Sequence, residues 1–185
     1  MNKNQFIRIA ISLVVLSLVW IALTPLLVGG AQAESPQTAP HRGFYAPPFT
    51  LGTPRGEVHS LDDYEGSPVL VFFWASWCSI CKTAMPGLEA VYQDFADQGF
   101  TILAVNTTNQ DSLASAETYF NAQGYSYTML LDRDGSVANL YRMRAVPTSV
   151  LIDPQGKITD VIIGSGISEG FLRARVGALL ERGVE

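Results

Sequence analysis

Cys78 and Cys81 are the only cysteines among the 185 residues, with Ser79 and Ile80 between them. That spacing brings two thiols within disulfide reach where a strand turns into a helix. A thiol at the start of the helix lies among unsatisfied N–H groups, at the positive end of the helix dipole, and both stabilise its thiolate. Cys78 falls at that place and is the expected nucleophile. Cys81 is one turn further in and points back to the same face, so it is the expected resolving thiol, attacking a mixed disulfide formed at Cys78 and releasing the partner. The chemistry would be dithiol–disulfide exchange.

Three inert roles compete with this reading. A disulfide closing so short a loop constrains the unfolded chain weakly and makes a poor structural staple. Zinc requires three or four ligands, and the only other soft donors are His41 and His59, so no metal is expected. Two buried free thiols would not account for a pair set where a strand feeds a helix. No organic cofactor is expected either.

The elements that must hold the pair follow from hydrophobic patterning. Val69 to Ala75 is a continuous apolar run rich in β-formers, which predicts a central strand buried on both faces and ending just before the cysteines. Ala84, Met85, Leu88, Val91, Tyr92 and Phe95 then recur at helical steps, with Gly99 as a stop. A strand is expected at Phe100 to Val105, followed by a helix carrying Leu113, Ala116, Tyr119 and Phe120, capped by Asp111 or Ser112 and ended by Gly124. Tyr127 to Leu131 reads as a strand and Val137 to Tyr141 as a short helix. Thr148 to Ile152 and Lys157 to Ile163 read as strands joined by Asp153-Pro154-Gln155-Gly156, and Ser168 caps a final helix. Phe49 to Leu51 with Glu57 to Ser60 suggests an opening hairpin. The alternation predicts an α/β domain over residues 47–185, with a central mixed sheet covered by helices on both faces.

Ahead of it, Ile9 to Ala33 contains no charged residue, and Ile9 to Val28 is almost wholly apolar. Twenty such residues at a rise of ~1.5 Å reach ~30 Å, enough to span a bilayer core. Lys3 and Arg8 precede the run with no acid among the first 33 residues, which keeps the N-terminus cytoplasmic and sends the rest across. Residues 1–33 are therefore a signal-anchor, with residues 9–28 in the membrane, or a signal peptide cut after Ala31-Gln32-Ala33. Both imply export, to the outer face of the cell membrane or to a periplasmic or secreted location. Glu34 to Pro48 holds four prolines and shows no apolar period, and residues 34–46 read as a flexible linker. The formal charge of -5 grows more negative once Lys3 and Arg8 are set aside, and 12 scattered basic residues argue against a nucleic-acid partner.

The stretch Phe73-Trp74-Ala75-Ser76-Trp77-Cys78-Ser79-Ile80-Cys81-Lys82 resembles the thioredoxin superfamily. Leu61-Asp62-Asp63-Tyr64-Glu65-Gly66, Pro86, Ala104-Val105-Asn106 and Val146-Pro147-Thr148 narrow the likeness to the TlpA/ResA group of extracytoplasmic thioredoxins, over about residues 47 to 182. The resemblance implies a thioredoxin-like fold, with Val146 and a cis Pro147 facing the cysteines and offering backbone to an extended substrate. It also implies that Trp77 shields the pair and contacts partners. Read without the resemblance, Pro147 is an ordinary trans proline opening a strand and Trp77 an aromatic packed at a strand end. Expected partners are exported cysteine-containing proteins, apocytochrome c among them, and a membrane thiol electron donor.

One departure matters. Many relatives carry a glutamate three residues after the second cysteine, and thioredoxins proper a buried aspartate six residues before the first; here Ala84 and Phe72 stand at those places. Such an acid can accept the proton of a buried resolving thiol. Lys82 offers at most partial electrostatic help and otherwise reads as a solvated helix-face lysine. Reduction is the favoured direction, with dithiol oxidation as the alternative. A peroxiredoxin would need a Pro-x-x-x-Thr-x-x-Cys frame, which Trp74-Ala75-Ser76-Trp77-Cys78 does not supply. A copper-delivery chaperone would need a wider cysteine spacing and a late histidine, and none follows His59.

Overall fold

The computed structural model describes residues 2, 5, 8, 11–20 and 37–182. The chain divides into two units, Met1–Ser35 and Pro36–Glu185. In the first, residues 11–20 are helical. The remainder of the apolar run 9–28, most of the flanking residues and the Ala31-Gln32-Ala33 cut site lie outside the described residues. Among the described residues no helix is long and apolar enough to cross a membrane.

The second unit is built on one seven-stranded sheet. Its strands are β1 (Thr50–Gly52), β2 (Val58–Ser60), β3 (Val69–Trp74), β4 (Thr101–Asn106), β5 (Thr128–Leu131), β6 (Thr148–Ile152) and β7 (Ile158–Ile163), in the spatial order β2-β1-β5-β4-β3-β6-β7. β3, β4 and β5 are parallel, while β6 pairs antiparallel with β3, β7 with β6, and β1 with both β2 and β5. The helices are α1 (Ser79–Phe95), α2 (Leu113–Gln123), α3 (Ser136–Leu140) and α4 (Glu169–Arg182). This is the thioredoxin-like arrangement, a central mixed sheet flanked by helices and entered through an N-terminal hairpin.

β3 is buried along its whole length, as its uninterrupted apolar run requires. Its side chains divide by strict alternation. Leu70, Phe72 and Trp74 join Met85, Leu88 and Val91 of α1, Ala116 and Phe120 of α2 and Leu172, Val176 and Leu179 of α4 in one core. Val69, Val71 and Phe73 face the other way, toward Phe49, Leu61, Val137 and Tyr141. Burying a side chain such as Phe72 completely contributes about 2 to 3 kcal/mol.

Boundaries differ from the sequence expectations in instructive ways. α1 ends at Phe95 and passes through a 3-10 turn, Ala96–Gln98, before Gly99 closes it in the left-handed region at φ 95°. Residues 37–46, expected as linker, lie against the sheet. Gly43 N–H donates to Ile158 O at 2.8 Å, Ile158 N–H to Phe44 O at 2.9 Å, and Ala46 N–H to Gly156 O at 2.9 Å. The Tyr141 hydroxyl donates to Pro47 O at 2.8 Å. Pairing of this kind runs through the backbone and leaves no apolar period for a sequence reading to find.

Candidate active site

β3 delivers its C-terminal end, Trp74, to the edge where the parallel strands stop, the edge at which α/β sheets place their chemistry. Ala75, Ser76 and Trp77 turn the chain, the Cys78 N–H donating to Ala75 O at 3.1 Å, and α1 begins at Ser79. Cys78 is the N-cap of α1. Its Sγ accepts the Cys81 N–H at 3.1 Å, so a sulfur fills the place that a serine or aspartate oxygen takes in ordinary caps.

Cys78 and Cys81 are joined in a disulfide, with Cα atoms 5.3 Å apart. The two sulfurs are not equivalent: Cys78 keeps 6% exposure and Cys81 none. Both belong to the core cluster of Phe72, Trp74, Ala75 and Met85, against which Ala84 and Val146 pack. Phe72 is fully buried where thioredoxins have an acid, and directly across the β3–β6 ladder stands Ser149, whose buried hydroxyl has no hydrogen-bond partner among the described residues.

The Val146–Pro147 peptide bond is cis. Thr148 pairs with Phe73, so Pro147 arrives level with the end of β3, beside the loop that carries the cysteines. Pro147 is buried and Val146 half-buried. Trp77 is 60% exposed, yet its indole N–H donates to Gln110 O at 3.0 Å. Ile80, between the cysteines, is also exposed, so an apolar rim borders the disulfide. The Lys82 ammonium lies 4.6 Å from the centroid of the Tyr119 ring.

Sequence reasoning missed Asp111 as a part of this site. It was one of two candidate caps for α2, but Ser112 takes that role, accepting the Ser115 N–H at 3.3 Å. Asp111 turns to the cysteine loop instead. Its Oδ2 accepts the Ser76 N–H at 2.5 Å and Asn106 Nδ2 at 2.8 Å, and its Oδ1 accepts the Ser76 hydroxyl at 2.6 Å and the Ser112 N–H at 2.8 Å. Burial pushes the carboxyl up, but the hydrogen bonds from Ser76, Asn106 and Ser112 outweigh it and hold the group below the usual carboxylate range.

A redox-ready cysteine pair capping the first helix after the central strand, in a sheet of this topology, defines a thiol-disulfide oxidoreductase of the thioredoxin superfamily. The chain matches the AhpC/TSA family over residues 43–161, and it belongs to that family within the ResA-like branch of thioredoxins. The thiol-disulfide oxidoreductase ResA of Geobacillus thermodenitrificans is 33% identical over 169 residues, covering 91% of this chain and 94% of its own. ResA of Bacillus subtilis is 31% identical over 164 residues, covering 89% and 87%. Among solved structures, a candidate thiol:disulfide interchange protein DsbE from Chlorobium tepidum superposes with a TM-score of 0.68 at 32% identity, covering 76% of this chain and 98% of that one.

Proposed function

We propose that Cys78 attacks disulfides in exported proteins and that Cys81 resolves the mixed disulfide. In the reductive cycle the Cys78 thiolate attacks one substrate sulfur, displacing the other as a thiolate. The Cys81 thiolate then attacks Cys78 Sγ, releasing the substrate as a dithiol and leaving the Cys78–Cys81 disulfide for a membrane thiol donor to reduce. The observation that carries the assignment is the asymmetry of the pair. Cys78 combines residual exposure with the helix N-terminus, whereas Cys81 is sealed in the core. Trp77, Val146 and Pro147 form the rim on which an extended substrate is held, its backbone pairing with the Val146–Pro147 segment.

Reduction is the direction favoured by the surroundings of the pair. A strongly oxidising pair owes its potential to a stabilised thiolate. Here Lys82, the cation next in sequence, is engaged over Tyr119, and the cluster around both sulfurs is apolar, leaving the helix N-terminus as the stabilising influence. The uncharged run from Ile9 to Ala33 behind Lys3 and Arg8 supports placing the domain outside the cytoplasm, tethered through residues 9–28 or released after Ala33, with residues 47–185 carrying the chemistry. Apocytochrome c is the substrate this reading puts first.

The test is trapping in cells. Cys81→Ser will accumulate a mixed disulfide between Cys78 and a partner, and Cys78→Ser will accumulate none. Equal adducts from both variants, or adducts from neither, would overturn the role assignment.

A further inference from the structure

We propose that Asp111 is a positioning residue of the redox centre, fixing Ser76 and, through the next residues, the pose of Cys78 at the helix N-terminus. The inference rests on reading Cys78 as the attacking thiol.

The support comes from the loop after β4. Ser76 lies two residues before Cys78 in the turn that launches α1, and both its backbone N–H and its hydroxyl end on the Asp111 carboxylate. Asp111 is itself immobilised from behind. Asn106, fully buried at the end of β4, donates to it while accepting from the Thr108 hydroxyl at 3.0 Å. The neighbouring residue, Gln110, supplies the carbonyl that holds the Trp77 indole. Consecutive residues of the loop after β4 therefore grip consecutive residues of the cysteine loop.

That loop is stitched down at both flanks. Thr107 donates to Trp74 O through its N–H at 3.0 Å and its hydroxyl at 3.3 Å, and Asn109 N–H donates to Asp132 O, just past β5, at 3.2 Å. A carboxylate whose two oxygens accept four hydrogen bonds is poorly suited to take a proton, so its contribution is geometric. A side chain locked by its own hydrogen bonds is what holds a reacting group in its productive pose.

The experiment uses the reduced full-length protein in detergent, following iodoacetamide alkylation of Cys78 by peptide mass spectrometry across pH, together with the midpoint potential. Asp111→Ala is expected to slow alkylation at pH 7 about tenfold, to move the Cys78 titration upward and to make the pair more reducing. Asp111→Asn can keep one oxygen on Ser76 N–H and Asn106 and donate to the Ser76 hydroxyl, giving up the Ser112 N–H bond, so it is expected to restore the rate to within about threefold. Ser76→Ala, which deletes only the hydroxyl contact, is expected to fall between.

Three results would overturn the proposal. An Asp111→Ala titration identical to wild type would reduce Asp111 to a purely structural role. Faster alkylation in both Asp111 variants would make its charge, not its geometry, the active element. If Asp111→Ala does not fold, Ser76→Ala decides, and a wild-type titration there overturns the idea while a slowed one upholds it. Alkylation of Cys81 before Cys78 in the unsubstituted protein would instead sink the assignment of the attacking thiol, a failure visible without any Asp111 variant.

Discussion

Phe72 of β3 and Ser149 of β6 stand opposite each other in the antiparallel ladder, a fully buried ring facing a buried hydroxyl with no partner among the described residues. A hydroxyl left unsatisfied in a core gives nothing back for its desolvation, and replacing it by an apolar group is neutral or stabilising. Ser149→Ala is therefore expected to leave stability unchanged or raise it by up to about 1 kcal/mol in urea unfolding. A loss greater than that would mean the hydroxyl is satisfied in solution.

Asp111 makes an acid-sensitive contribution. Its folded-state pKa is depressed, so the stability it supplies is present above the ordinary carboxylate value of about 3.9 and is lost as pH falls through the folded value. The stability gap between wild type and Asp111→Asn, measured by urea unfolding, should thus be steady near neutrality and close below about pH 4. A gap independent of pH would contradict the charged hydrogen-bond network.

Lys82 is predicted to matter for packing and not for redox poise. Lys82→Met should cost up to about 1 kcal/mol through its loss from the Tyr119 ring. The midpoint potential, titrated against glutathione and dithiothreitol buffers, should stay where it is, and a potential that moves with Lys82 would return that residue to the electrostatics of Cys78. The same titration reads direction: below about -240 mV the pair is a reductant, above about -180 mV an oxidant.

The Tyr141 hydroxyl fastens Pro47 O across 94 residues of sequence. Tyr141→Phe leaves that buried carbonyl without its donor and should cost about 1 to 2 kcal/mol. Hydrogen exchange should show the amides of Gly43 and Ala46, which bond to Ile158 and Gly156, losing protection in the variant. Unaltered protection would mean that residues 43–46 are held independently of Tyr141.

Local signals made much of the fold legible. Val69 to Trp74 could be read as a central strand because an apolar run that short and that rich in β-formers has few other uses, and the cysteine spacing announced its chemistry directly. The cap of α2 was undecidable by the same means, since Asp111 and Ser112 are equally good N-caps by residue type. What separated them was Ser76, 35 positions earlier, an acceptor requirement that no window around residue 111 contains. Residues 43–46 escaped for a related reason, because their partners at 156 and 158 are reached through the main chain, which leaves no side-chain pattern to read.

The parallel pairing of β3 with β4 carries a consequence for the newly made chain. Gln110 and Asp111, the latter held by Asn106, reach the cysteine loop only once the two strands are in register from Val69 beside Thr101 to Trp74 beside Asn106. Before that register forms, the cysteine loop lacks the bonds that Ser76 gives to Asp111 and Trp77 to Gln110. With Asp111 in the positioning role proposed for it, the reactivity of Cys78 would report completed folding, through contacts between segments 33 and 35 residues apart.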